Sequence, residues 1–155
     1  MSATPAGWTA LHATAIVVGE SGVLLRGPSG AGKSSLALTL IWATRERALF
    51  AALVADDRAY ARALRGRLIV RGAPEFAGKI ERRYEGVIEV AAEPAAAIRL
   101  VVDLFGRGEP PPRLPDEGEL SVDILGIRLP RVALDPAHGP ADHAGIVLDS
   151  LARRI

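Results

Sequence analysis

Residues 27–34 read Gly-Pro-Ser-Gly-Ala-Gly-Lys-Ser and complete the phosphate-loop pattern G-x-x-x-x-G-K-[ST]. The apolar run Val23-Leu24-Leu25 precedes the motif and a helix-like stretch follows it, which is the strand–loop–helix context that the motif requires. Glycines let successive backbone N–H groups converge on phosphate oxygens, and the start of the helix adds its positive dipole end. We therefore expect a nucleoside triphosphate as the ligand; the alternative is a glycine turn that binds nothing. The residues expected to surround the phosphates are Gly27, Pro28, Ser29, Gly30, Ala31, Gly32, Lys33 and Ser34.

Outward from the loop, strand-like and helix-like patterns alternate, which predicts an α/β fold. Strands are predicted at 14–18 and 22–26, and a helix at 33–46 with Leu36, Leu40 and Trp42 facing inward. The unbroken apolar run at 49–55 is typical of a buried central strand. The other predicted elements are strands at 67–71, 86–91 and 97–104, an irregular or helical piece at 75–84, a proline-rich surface loop at 106–118, a hairpin of 120–125 with 127–134, and a helix at 140–154.

Composition sets limits on the class of protein. The 155 residues fit one domain with one core, and 49% hydrophobic with 24% charged residues is typical of a globular chain. A net charge of +1 gives no reason to expect nucleic acid as a partner, and no apolar run is long enough to predict a membrane span. The chain has no cysteine and its first residues lack the pattern of a signal peptide, so we expect a cytoplasmic protein.

Two adjacent acids, Asp56 and Asp57, end the buried strand that follows the loop helix. In phosphate-loop enzymes this position usually holds the acid that binds magnesium through water. Neighbouring residues on an extended backbone point to opposite sides, so one carboxylate is expected at the metal and the other at an acceptor hydroxyl. The alternative interpretation is a solvated turn.

The three histidines give weaker indications. His12 stands just before the first predicted strand, where a lone histidine is usually structural. His138 and His143 lie in a Gly/Pro context with no carboxylate–histidine set typical of zinc, so both are expected at the surface.

Several segments together resemble the catalytic domain of HPr kinase/phosphorylase. They are Leu53-Val54-Ala55-Asp56-Asp57-Arg58 after the phosphate loop, the segment from Ile80-Glu81-Arg82-Arg83 to Val90, His12 ahead of the first strand, Arg113-Leu114 in the proline loop, and the hairpin Ile124–Pro130. The resemblance spans about residues 11–134. It implies a phosphate-loop kinase domain of the PEP-carboxykinase-like type, with a mostly β core and flanking helices.

The resemblance also implies an activity, namely ATP- and Mg²⁺-dependent phosphorylation of a serine on an HPr-like phosphocarrier of the phosphotransferase system. Lys33 would bind the β- and γ-phosphates, Asp57 would accept the serine proton, and His12 and Arg113 would be catalytic, with Arg83 a further source of positive charge. Ser34, Asp56 and Glu81 would hold the magnesium. For Glu81 the alternative is a surface partner of Lys79, Arg82 or Arg83. Catalytic domains of this family form hexamers, so self-association is expected.

Departures from the family pattern limit the expected activity. The separate N-terminal domain of the family is expected to be absent, as in shortened alphaproteobacterial forms, and Tyr84 and Glu85 replace a glycine and an apolar residue of the signature. The basic loop linked to dephosphorylation is replaced by 135–141, which has no arginine or lysine, so we expect weak phosphorolysis. The other functions left open are a small-molecule kinase and an ATP-binding regulatory module without transfer activity.

Overall fold

The computed structural model describes residues 3–106, 108, 118 and 120–154. Two helices flank a sheet-rich core, α1 (Lys33–Glu46) and α2 (Pro140–Arg153), and Pro74–Phe76 forms one turn of 3₁₀ helix. The strands are β1 (Thr9–Leu11), β2 (Ala13–Val18), β3 (Ser21–Arg26), β4 (Ala51–Ala55), β5 (Ala59–Leu64), β6 (Arg67–Arg71), β7 (Lys79–Arg82), β8 (Gly86–Glu89), β9 (Ala95–Leu104), β10 (Ser121–Ile124) and β11 (Ile127–Leu134).

The main sheet contains nine strands, and β9 is its central element. The order runs β1-β5-β6-β9-β3-β2-β4, and β11 pairs with β9 and carries β10 at its outer side. The first residues of β9 pair with β6, whereas the rest of the strand pairs in parallel with β3 and β11. Because β4 is antiparallel to β2, and β2 is antiparallel to β3, the carboxyl ends of β3, β4, β9 and β11 meet at one edge of the sheet.

The sheet buries a hydrophobic cluster on each face. One cluster joins both helices to alternate residues of β3 and β9, including Leu25, Leu36 and Val102. The second lies between the β1-β5-β6 part and the β2-β3-β9 part of the sheet, and it is rich in alanines such as Ala15 and Ala61. Small side chains let the two parts approach closely, so the phosphate-loop edge rests on a core that is filled from both sides.

Several predicted elements are confirmed. The helix predicted at 33–46 and the strand predicted at 67–71 have the predicted bounds. The late hairpin turns at Leu125-Gly126, where both residues have positive φ, 50° and 81°, as a two-residue turn between twisted strands requires. The mixed α/β class with a mostly β core and flanking helices is likewise confirmed. No helix of the described part of the chain is long and apolar enough to span a membrane.

Other predictions of local structure were wrong or incomplete. The strand expected at 49–55 begins at Ala51, because Leu49 and Phe50 lie exposed between α1 and the sheet. Trp42 does not face inward: it is 42% exposed, and the Arg82 guanidinium covers its ring at 5.7 Å. The piece at 75–84 contains strand β7, and strands β1 and β5 were not predicted. Of the proline-rich loop at 106–118, most residues lie outside the described part of the chain.

Candidate active site

The phosphate loop occupies residues 27–32, between the end of β3 and the start of α1. Gly30 and Gly32 have φ angles of 83° and 99°, a conformation that glycine adopts without steric cost. Gly32 is the N-cap residue of α1, so no side chain caps the helix, and its first turn contains no acidic residue. The N–H groups at the start of α1 therefore remain available to an anionic ligand.

Lys33 is buried, with only 5% of its side chain exposed. Its Nζ donates to the carbonyl oxygen of Gly27 at 2.7 Å and lies 3.6 Å from Asp57 Oδ1. The ammonium group is thus held between the start of the loop and the carboxylates that follow β4.

Asp56 directly follows β4 and accepts three hydrogen bonds. Oδ1 accepts from Ser34 Oγ at 2.8 Å and from Thr14 Oγ1 at 3.1 Å, and Oδ2 accepts from the Glu81 N–H at 3.1 Å. The carboxylate therefore connects the loop helix to β2 and β7. Sequence reasoning missed Thr14, whose only signal is one hydroxyl residue in the buried strand β2.

Asp57 does not lie on an extended backbone as expected. Its φ is 61°, in the left-handed region, and its N–H donates to Thr14 Oγ1 at 3.1 Å. This turn directs the carboxylate away from Asp56, and Oδ1 lies 2.7 Å from His12 Nε2. The two carboxylates have different partners, and a left-handed turn rather than strand alternation separates them.

His12 lies between β1 and β2, and its imidazole is half exposed. Because β1 pairs with β5, which follows the two aspartates in the chain, the pairing carries His12 to the edge where Asp57 lies. The interpretation of His12 as a purely structural histidine does not account for this position beside an exposed carboxylate.

An open cleft of about 570 Å³ lies over the phosphate loop. Besides residues of the loop, its lining includes Asp56 and Asp57 and, from the β7–β8 hairpin, Glu81, Arg82 and Arg83. Arg82 pairs with Glu85 at 3.7 Å rather than with Glu81, so the surface-pair alternative for Glu81 finds no support there. The remaining predicted catalytic residue, Arg113, lies outside the described residues.

The residues present fit magnesium only as a partner of a bound nucleotide. Within the described ranges, no three side chains of the His, Asp and Glu types form a metal cluster. Magnesium bound with a nucleotide usually takes one or two carboxylates, with phosphate oxygens and water completing its octahedron. The hydroxyl of Ser34 beside the carboxylate of Asp56, with the neighbouring Glu81 also lining the cleft, supplies a donor set of that kind.

A partly buried ion cluster supports the start of the loop from the face of the sheet opposite the helices. Asp103, at the end of β9, accepts from Arg26 Nε at 2.8 Å and from Arg131 Nε at 2.5 Å. Burial alone would raise the pKa of Asp103. The hydrogen bonds that it accepts from Arg26 and Arg131, together with their positive charges, outweigh burial and lower this pKa below its ordinary value. The cluster joins β3, β9 and β11, and its Arg26 directly precedes Gly27, the first residue of the loop.

The prediction for His143 was wrong. The residue is buried in the first turn of α2, and its Nε2–H donates to the carbonyl oxygen of Asp135 at 2.7 Å. His138 is exposed, as predicted, with its ring centroid 6.3 Å from that of His143. The hydrogen bond ties the segment after β11 to α2, so His143 has a structural role.

A glycine-rich loop at the carboxyl edge of an α/β sheet, with Asp57 3.6 Å from its lysine, is the arrangement typical of phosphate-loop proteins that use nucleotides. A sequence model of the family described as HPr Serine kinase C-terminal domain matches residues 5–147. The chain therefore belongs to the HPr serine kinase C-terminal domain family, and membership in this kinase family implies that it uses a nucleotide.

Among solved structures, the fold is similar to that of the Hpr(Ser) kinase/phosphatase from Coxiella burnetii. The TM-score is 0.77 at 24% sequence identity, with 94% of this chain and 98% of that chain covered. The similarity confirms the predicted fold. No curated protein matches the sequence.

Proposed function

We propose that the protein transfers the γ-phosphoryl group of ATP, with Mg²⁺, to a serine hydroxyl of an HPr-like phosphocarrier protein. The observation that carries the proposal is the different bonding of two adjacent acids. Asp56 is bonded to Ser34 of the phosphate loop, whereas Asp57 lies beside Lys33 and His12 with its carboxylate open to the cleft. We assign Asp56 to the part of the site that binds the nucleotide, called the nucleotide side, and Asp57 to the part that receives the serine, called the acceptor side.

The nucleotide side uses the loop and the residues around Asp56. Backbone N–H groups at the start of α1 bind the phosphates, and Lys33 places its charge on the β- and γ-phosphates. Ser34, Asp56 and Glu81 would hold magnesium, which would neutralise phosphate charge. Lys33 Nζ donates to the carbonyl oxygens of Gly27 and Pro28. When a phosphate binds, its anionic oxygens replace these carbonyl oxygens as acceptors.

The acceptor side uses Asp57 and His12. The serine oxygen forms a bond to the γ-phosphorus as the bond from that phosphorus to the β–γ bridging oxygen breaks, and ADP leaves. Asp57 takes the serine proton, and the His12 imidazole, with Nε2 2.7 Å from Asp57 Oδ1, orients its carboxylate. Phosphoryl transfer is loose and rich in negative charge, so positioning and neutralisation supply most of the rate. We assign Arg113 to that neutralisation.

We also propose that phosphorolysis of the phosphorylated carrier by inorganic phosphate is weak. That reaction needs a second phosphate site beside the phosphoserine, and basic side chains are the usual means of holding such an anion. Residues 135–141 contain no arginine or lysine, and nearby Arg131 is paired with Asp103.

The proposal is tested by incubating the protein with γ-labelled ATP, Mg²⁺ and an HPr-like carrier, then mapping the labelled residue by mass spectrometry. We expect label on one serine of the carrier. Label on a small-molecule acceptor instead, or ATP binding without transfer to any acceptor, would contradict the proposal and favour one of the two alternative functions.

A further inference from the structure

The hairpin of β7 and β8 ends in an unusual tip. The strands pair from Lys79–Glu89 to Arg82–Gly86, and the three residues Arg83, Tyr84 and Glu85 form the loop between them. Tyr84 is 95% exposed and has a φ of 70°. A bulky residue in the left-handed region is a conformational outlier at a position where glycine would fit freely.

Tyr84 contributes little to folding through either side-chain packing or backbone conformation. Its ring is outside the hydrophobic core, and its backbone conformation disfavours the side chain that it carries. Within the described residues its one ring contact is with the Arg83 guanidinium, 5.5 Å from the ring centroid. An exposed aromatic residue held in a disfavoured conformation points to a role in binding.

The base of the hairpin is fixed to the rest of the fold, so the tip has a defined position. Ile80 is fully buried against the helix-side core, with Ile88 as its cross-strand partner. The Val90 N–H donates to the Gly78 carbonyl at 2.8 Å, and the Glu81 N–H donates to Asp56. The last bond ties the hairpin directly to the acid pair, so a molecule held at the tip is aligned with the cleft.

An exposed apolar side chain, Val87, lies next to the cleft residue Glu81 on the hairpin. Val87 is directly opposite Glu81, and cross-strand partners project from the same face of a hairpin. Glu81 lines the cleft, and the exposed Val87 side chain lies beside Glu81 on that face of the hairpin. Arg83 also lines the cleft, and within the described residues no carboxylate lies within 4 Å of its guanidinium. Tyrosine and arginine beside an apolar residue are typical of protein interface hot spots.

We infer that Arg83, Tyr84 and Val87 form the docking surface for the protein substrate; the inference rests on the proposed function. The surface receives the part of the carrier next to the reacting serine, where we expect an apolar patch flanked by a carboxylate that pairs with Arg83. Tyr84 does not line the cleft, so a small acceptor inside the cleft would not reach it. The tip therefore acts on a macromolecular substrate.

The test compares Tyr84→Gly with Leu125→Gly. Both changes remove an exposed large side chain from a turn residue with positive φ, but Leu125 lies in the β10–β11 turn, at the opposite edge of the sheet from the phosphate loop. We expect Tyr84→Gly to raise the KM for the carrier about tenfold, the effect of one hot-spot residue, with kcat and the KM for ATP within about twofold of the parent. Leu125→Gly should leave all three constants unchanged.

Each other result would overturn the inference. A parental KM for the carrier in Tyr84→Gly, or an equal rise in Leu125→Gly, would show that the tip is not the docking surface while leaving the proposed kinase intact. A lower melting temperature for Tyr84→Gly would show that the side chain serves folding. A parent protein that transfers no phosphate to the carrier would overturn the proposed function and the docking surface together.

Discussion

At the scale of the residue, the site depends on side chains whose roles follow from their position in the folded structure and not from their residue type in the sequence. Thr14 shows this most clearly, because its buried hydroxyl donates to Asp56 and accepts from the backbone N–H of Asp57. In sequence it is one β-branched residue in an apolar strand, which is ordinary β composition. Only the pairing of β2 with β4 brings it beside the two acids, so no local pattern could have predicted it.

Lys33 offers a direct test of nucleotide binding, because the chain contains only two lysines. ATP with Mg²⁺ at 100 times its dissociation constant adds about 2.7 kcal/mol of stability, which raises the melting temperature of a chain this size by about 5–10 °C. We expect Lys33→Ala to lose most of that rise. Lys79→Ala, a change at an exposed position of strand β7, should keep it. The measurement is thermal unfolding with and without ATP and Mg²⁺. Equal protection of Lys33→Ala and the parent would refute the assigned role of the loop.

Glu81 is the predicted second carboxylate for magnesium. We expect Glu81→Gln to raise the Mg²⁺ concentration for half-maximal activity by about tenfold, because a neutral amide binds the cation less well than a carboxylate. Glu89→Gln, on the neighbouring strand of the same hairpin and opposite Lys79, is the control and should leave the requirement unchanged. The measurement is a titration of the activity of both variants and the parent against Mg²⁺ concentration. An unchanged Mg²⁺ requirement in Glu81→Gln would show that Glu81 does not bind the metal and is an ordinary surface acid.

At the scale of the element, the sequence predicts segments whose local preference agrees with their tertiary environment. Helix α1 follows a phosphate loop, and the β10–β11 hairpin has a Leu-Gly turn between apolar strands, so both were found. Strand β5 reads Ala-Tyr-Ala-Arg-Ala-Leu and β7 reads Lys-Ile-Glu-Arg, and most of these residues favour helices. Pairing with β6 and β8 overrides that preference, and such pairing is not visible in a local pattern.

The Asp103 cluster, which joins three strands below the phosphate loop, is expected to stabilise the sheet in a pH-dependent way. Removing the carboxylate leaves two guanidinium groups facing each other, so we expect Asp103→Asn to lower the free energy of unfolding at pH 7 by about 2–3 kcal/mol. Asp123→Asn is the control, because both side chains of the Asp123–Arg128 pair are exposed. We expect this change to lower the free energy of unfolding by less than about 0.5 kcal/mol. Urea denaturation measures both.

The pH dependence follows from the lowered pKa of Asp103. Its pKa in the folded protein lies below that of an unfolded aspartate, about 3.9, so the charged carboxylate stabilises the fold at pH values above the unfolded pKa. That stabilisation is lost as the pH falls through the folded pKa. The difference between the parent and Asp103→Asn should therefore be full at pH 7 and shrink in strong acid. A difference that is constant down to the lowest pH would contradict an ionic origin.

At the scale of the whole molecule, the candidate site is assembled from distant parts of the chain. The sequence predicted the phosphate loop and the acid pair from spacing alone, because both follow strands whose ends meet at one edge. It pointed to His12 and Glu81 only through resemblance, and the fold brings both to the same cleft. The docking surface at the hairpin tip depends on a backbone angle and on cross-strand pairing, so no reading of the sequence could have predicted it.

The most direct test of the proposed kinase compares the parent with Asp57→Asn in single-turnover transfer from γ-labelled ATP to the carrier, with ATP affinity measured in parallel. Asparagine keeps the shape of the side chain but does not accept the serine proton, so we expect transfer to slow by about 10²- to 10⁴-fold while ATP binds as tightly as before. Transfer at the parental rate by Asp57→Asn would contradict the account, because Asp57 would then be only an acid at the end of a strand.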